Sequence, residues 1–246
     1  MRTFLALSVM GLVACGDMNA SVGELGRVSY ALHTDYITTE VTLAGSTLVA
    51  GHPLTIETGL TDAGDRKAGK AAEDIRHRFS EPTADVATDE TDDSIPNLTI
   101  TADGDVDGDL QSMLDGEIFD YLPLTFREPD ALGALTFTRG ALDEDMEGRD
   151  GRTFTVEEGG SAALLPFPRR DGERLVGDIR PELTMEPEGL AVLDYDTFEV
   201  YEQNVYGGTE PYTIVFIEPG ELTVTLTDPV WGVSVERVFT VTPYGG

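Results

Sequence analysis

Tyr212-Thr213-Ile214-Val215-Phe216-Ile217-Glu218-Pro219-Gly220-Glu221-Leu222-Thr223-Val224-Thr225-Leu226-Thr227 decides how this chain is read. Tyr212, Ile214 and Phe216 alternate with Thr213 and Val215. After the break at Pro219-Gly220, Leu222, Val224 and Leu226 alternate with three threonines. A period of two puts alternate side chains on opposite faces, so each run is a half-buried strand. The same pattern runs outward in both directions. Upstream it takes in Ile37–Leu43, Leu54–Glu57, Ile75–Phe79, Leu122–Phe126, Leu135–Phe137 and Phe154–Val156, and downstream Val233–Val241. Short runs rich in Val, Ile, Thr and Phe, punctuated by Gly, Pro and Asp, predict an all-β protein. Only Ala68–Ile75 has helical character.

The two halves resemble each other. Thr47–Gly51 followed by Leu54-Thr55-Ile56 parallels Phe154–Gly159 followed by Ala162–Leu165. Ile75-Arg76 leading to Glu81-Pro82 parallels Ile179-Arg180 leading to Glu186-Pro187, and Leu122–Pro129 parallels Tyr212–Pro219. This alignment leaves an excess of about 15 residues between Pro82 and Phe126, which reads as an acidic loop insertion in the first copy. The strand order, with its Pro-Gly-Glu-Leu-x-Val-x-Leu segment at 219–226, resembles tandem bacterial immunoglobulin-like repeats. The resemblance implies two β-sandwiches, at 28–145 and 150–244. A Cys–Trp–Cys core is missing, since the chain has one cysteine and one tryptophan, Trp231.

The N-terminus has a different character. Arg2 precedes an apolar run from Phe4 to Val13, interrupted only by Ser8 and Gly11. That is shorter than the roughly 20 residues a spanning helix needs, and it fits a signal-peptide core. It ends in Leu12-Val13-Ala14-Cys15, which resembles the lipobox of bacterial lipoproteins. The resemblance implies removal of residues 1–14, a diacylglyceryl thioether on Cys15, and attachment to a cell-envelope membrane. Gly16 after the cysteine favours the outer membrane by the same analogy. Residues 15–27 are small, polar and glycine-spaced, and read as a lipidated flexible tether. Two or three acyl chains hold a protein durably where one does not. Lipidation uses the only cysteine, so no disulfide is expected.

Charge narrows the partners. The chain has 16 basic and 46 acidic residues, net −30; losing Arg2 leaves 15 against 46, a formal −31 for the 232 remaining residues. Such a surface repels nucleic acid and anionic headgroups and attracts divalent cations or basic partners. One acidic stretch has a ligand-like spacing: Asp103-Gly104-Asp105-Val106-Asp107-Gly108-Asp109. Alternate carboxylates suit calcium, which takes six to eight oxygens, and the stretch resembles the start of an EF-hand loop. The twelfth position is Leu114 where that loop needs Glu, and the plainer reading is a hydrated acidic turn. Asp143-Glu144-Asp145 with Glu147 and Asp150 reads as a solvated loop.

Catalytic signatures are sparse. His33, His52 and His77 lack metal-ligand spacing, and His77 falls in the apolar phase of its strand, as a packed histidine does. Gly-x-Ser-x-Gly and phosphate-cradling loops do not occur. Among 46 acids any carboxylate pair is uninformative about glycoside hydrolysis. Tyr195, Tyr201, Tyr206, Tyr212 and Trp231 concentrate in the second half and read mainly as packing residues. The expectation is therefore a non-enzymatic envelope lipoprotein without a resident cofactor. Its lipid would hold it to the membrane, and its modules would contact an envelope protein or glycan. A calcium-dependent carbohydrate or adhesion module using Asp103–Asp109 is the alternative, and a hydrolase the distant one.

Overall fold

The computed structural model describes residues 20–21, 27–32, 43, 45–61, 75–89, 97–114, 116–139, 145–149, 151–194 and 212–245. The lipobox, Cys15, His33, Tyr195, Tyr201, Tyr206 and residues 68–74 of the expected helix Ala68–Ile75 lie outside them. Every regular element among the described residues is a strand, and the protein is all-β, built as two immunoglobulin-like sandwiches.

In the first sandwich, one sheet runs β2 (Arg27–Leu32), β4 (Leu54–Thr61), β7 (Asn97–Ala102), β6 (Ala84–Asp89). The facing sheet runs β1 (Ala20–Ser21), β9 (Glu117–Arg127), β8 (Val106–Leu114), β5 (Arg76–Phe79), with β3 (Thr47–Val49) parallel to β9. The inward residues of both sheets, among them Leu54, Ile56, Leu98 and Ile100 against Leu110, Leu122, Leu124 and Phe126, form one core. The second sandwich repeats the order. One sheet runs β11 (Asp145–Arg149), β10 (Ala131–Arg139), β13 (Ser161–Arg170), β17 (Tyr212–Phe216), β16 (Ala191–Leu193), with β14 (Glu173–Arg174) beside β13. The other runs β12 (Thr153–Glu157), β19 (Ser234–Thr242), β18 (Gly220–Thr227), β15 (Glu182–Glu186), with β12 parallel to β19. Strand for strand, β2-β4-β7-β6 corresponds to β10-β13-β17-β16, and β3-β9-β8-β5 to β12-β19-β18-β15.

This correspondence corrects three expectations. Ala131–Arg139, expected to close the first repeat at 145, pairs with β13 over nine residues and opens the second sandwich. The first sandwich thus takes its last strand at Arg127. The reason is burial: Leu132 to Thr138 are all buried because this strand lies inside a sheet covered on both faces. Its outer apolar face, Leu135 and Phe137, packs with Ala163, Leu165 and Phe167 of β13. Second, Leu122–Pro129 is the counterpart of β19, not of Tyr212–Pro219. Apolar alternation is the same in any strand, so it aligned two non-equivalent ones. Third, the acidic excess then disappears as an insertion: residues 85–109 supply β6, β7, a short turn at 103–105 and the start of β8. Asp145–Arg149, part of the second acidic cluster, is likewise a strand rather than a loop.

Candidate functional site: the acidic turn, the module junction and the two poles

The aspartates of 103–109 do not converge. Asp103, Asp105 and Asp107 are exposed, and among the described residues no three His, Cys, Asp or Glu side chains are grouped to hold a metal. Asp105 and Asp107 instead face arginines. Asp105 Oδ1 accepts the Glu128 backbone N–H at 2.7 Å, and its Oδ2 lies 3.6 Å from Arg170 Nη2 of the second sandwich. Asp107 pairs with Arg127 Nη2 at 2.9 Å. Asp109 is fixed through its backbone: its N–H donates to Ser80 Oγ at 2.9 Å, and its carbonyl accepts the Ser80 N–H. Gly108 is not the turn glycine that a calcium loop requires. It sits inside β8, where a Cβ would stand 2.6 Å from the Phe79 ring.

These pairs belong to a seam between the two sandwiches. Thr47–Val49 is held from both sides: β3 lies parallel to β9, and Val49 N–H donates to Val176 O at 2.9 Å while Val176 N–H donates to Thr47 O at 2.8 Å. Leu48 points into the first core and Val49 into the second. Trp231, on the turn before β19, donates its indole N–H to Ala50 O at 2.8 Å. Its ring presses on Gly51, where a Cβ would meet it at 2.6 Å and where φ is +79°, so this position requires glycine. Beside it, His52 Nε2 lies 2.9 Å from Asp228 Oδ2, and both residues are buried. Burial pushes the Asp228 carboxyl upward. Hydrogen bonds from His52 and from the Val230 and Trp231 backbone outweigh it, so the carboxyl ends below its ordinary value. An open cleft of about 270 Å³ borders this seam, lined by Thr47, Thr125, Arg127, Arg170 and Arg174 with Asp105. The first sandwich also contains a polar cluster. His77 Nδ1 lies 3.0 Å from Ser112 Oγ, which in turn lies 2.6 Å from Tyr30 OH. His77 is the packed histidine its strand phase predicted, and burial lowers its pKa to about 4.

The seam gives the chain an axis. Strand β9 begins at Glu117, far from it, and ends in it at Arg127; 11 residues at about 3.4 Å each separate the poles by roughly 35 Å. β1, five residues after Cys15, pairs with β9 at Asp120 and Tyr121, near the start of that strand. In the second sandwich, β19 leaves the seam at Ser234 and ends at Thr242, so the far pole holds the turns at 157–160, 187–190 and 217–220. Exposed Val192, Ile217 and Tyr244 lie there, with Glu157, Glu186, Glu188 and Glu218 nearby. Sequence reasoning missed His52, Asp228 and Trp231 as a unit. Their partners are about 180 residues apart, and the only signal was that Trp231 is the lone tryptophan.

No protein-family model matches the sequence, and no curated protein matches it. Among solved structures, the Escherichia coli adhesin FdeC matches at 14% identity and TM-score 0.31, over 90% of this chain and 65% of that one. Domains 5–6 of the S-layer protein SbsC match at 14% identity and TM-score 0.34, over 87% of this chain and 100% of that one. A C-terminal intimin fragment in complex with the intimin-binding domain of its translocated receptor matches at 10% identity and TM-score 0.29, over 88% of this chain and 64% of that one. This chain therefore spans slightly less than two thirds of the adhesin and intimin structures it matches. At these scores the likeness carries no inference about partner or activity.

Proposed function

We propose that this chain is a non-catalytic bacterial envelope lipoprotein: a strut of two sandwiches, at about 28–127 and 131–244, tethered through Cys15 and making its contacts at the far pole. The observation that supports this reading most is the axis of β9. It runs from the strand that follows the lipobox-derived N-terminus to a seam closed by Val49–Val176, Trp231–Ala50 and His52–Asp228. In this reading the tether lies at one end and the interlocked junction in the middle, and the exposed Ile217, Val192 and Tyr244 of the far pole suit contact with an envelope protein or glycan. Among the described residues no helix is long and apolar enough to cross a membrane, so attachment in this reading rests on the lipid.

Two measurements test it together. Radiolabelled palmitate is expected in the wild-type protein and absent from Cys15→Ala; label persisting in the variant overturns the anchor. A photo-crosslinking residue at Ile217 is expected to trap a discrete adduct in the native envelope, while the same group at exposed Thr184, on the side of the second sandwich, traps none. Equal trapping at both positions overturns the far pole as the contact site.

A further inference from the structure

The outer face of the β5-β8-β9 sheet, at the pole where the chain enters, differs from the rest of this acidic surface. Ladder register lines up two rows across it. Arg78 stands opposite Gln111, and Gln111 opposite Tyr121; Arg76 stands opposite Met113, and Met113 opposite Ile118. Arg76, Arg78, Ile118 and Tyr121 are exposed, and Gln111 and Met113 are partly so. Ile118 and Tyr121 are three residues apart and should face opposite ways on a regular strand. The register shift between Ser112 and Met113 prevents this: Asp120 pairs with Ser112 and Ile118 with Met113, which leaves Phe119 as the extra, buried residue. A bulge thus returns Ile118 to the outer face beside Tyr121. Two of the six exposed large apolar side chains among the described residues are brought together in this way.

β1 lies against the same place, with Ala20 opposite Tyr121 and Ser21 opposite Asp120. Ala20 is five residue steps from Cys15, a reach of at most about 18 Å even when fully extended. A lipid on Cys15 would therefore hold the Tyr121 row within that distance of the headgroups. Aromatic side chains at the headgroup level, an aliphatic side chain beside them and arginines whose stems lie along apolar surface are the chemistry of a membrane interface. Exposed Glu117 flanks the patch.

We infer that this face, Arg76, Arg78, Met113, Ile118 and Tyr121, lies on the bilayer that receives the Cys15 lipid and sets the angle at which the strut stands. The inference rests on the lipid-anchor reading above. Because Cys15 is the only cysteine and is consumed by the thioether, a cysteine introduced elsewhere is the sole free thiol. Full-length lipidated Ile118→Cys, Tyr121→Cys and Thr184→Cys would each carry a polarity-sensitive dye and be reconstituted into phosphatidylethanolamine–phosphatidylglycerol vesicles. Blue-shifted emission shielded from aqueous iodide is expected at 118 and 121 and not at 184, with the shift reduced by Arg76→Glu/Arg78→Glu. Protein that floats with vesicles while its dyes at 118 and 121 stay as water-exposed as at 184 overturns the contact face and leaves the anchor standing. Failure to float, equal to that of Cys15→Ala, overturns the anchor and this inference with it.

Discussion

The two sandwiches share a strand order but differ in the chemistry packed between their sheets. Where β5, β8 and β9 of the first meet β2, the interior contains His77, Ser112 and Tyr30 in a hydrogen-bonded row, with buried Asp120 accepting the Val28 N–H at 2.7 Å. Burial raises the Tyr30 pKa; its bond to Ser112 lowers it by less, and the nearby Asp120 carboxylate adds a still smaller rise. The second sandwich instead gathers rings in its core: Phe239 of β19 stacks on Phe154 of β12 at 5.5 Å and meets Phe216 of β17 at 5.0 Å. One fold thus carries a polar cluster beside a core with a single Phe79–Phe126 ring pair in the first copy, and a three-ring cluster in the second. The polar cluster depends on protonation and on satisfied partners, the three-ring cluster on shape and area alone.

The largest effect should come from the aromatic side. Phe239 is fully buried, and Phe239→Ala is expected to cost about 3–5 kcal/mol, read as a lower urea midpoint for the second sandwich. A loss below about 1 kcal/mol would mean that the stack is not what holds that core.

A smaller effect is expected from the polar side, and its sign follows from His77. Its folded pKa of about 4 lies below the unfolded value of 6.5, so between those values the unfolded chain binds the extra proton. The stability it permits is complete above pH 6.5 and falls as pH drops toward 4, by up to about 3 kcal/mol. His77→Gln, which keeps a partner for Ser112, should remove that part of the pH dependence. Parallel profiles for wild type and variant would contradict it.

The smallest effect belongs to the seam's rim. Asp105 is exposed, and Asp105→Ala should cost on the order of 1 kcal/mol, through the lost Glu128 and Arg170 contacts. Calcium should leave the melting temperature of wild type and variant equally unmoved. A rise in wild type alone would return Asp103–Asp109 to the role of a metal loop.

Strand phase carried much of this architecture into plain sight. Leu54 and Ile56, Leu122 and Leu124, and Leu222 and Val224 all face inward as their alternation predicts. His77 sits in the apolar phase and is packed accordingly. What alternation could not carry was which strand pairs with which. Leu135 and Phe137 look the same in either sandwich, and only the nine-residue ladder to β13 assigns them. The aspartates of 103–109 were visible as a spacing, but their partners were not: Arg170 lies 65 positions from Asp105 and is no nearer to it in pattern than any other arginine. The patch at Ile118 and Tyr121 was hidden for a local reason, because a bulge reverses the phase on which a reading of faces depends.

The parallel pairing of β3 with β9, repeated by β12 with β19, has a mechanical consequence. If the N-terminus is tethered and the far pole gripped, as proposed above, tension between them pulls each of these pairs lengthwise. Their hydrogen bonds would then yield as a set, in shear, rather than unzip singly from one end.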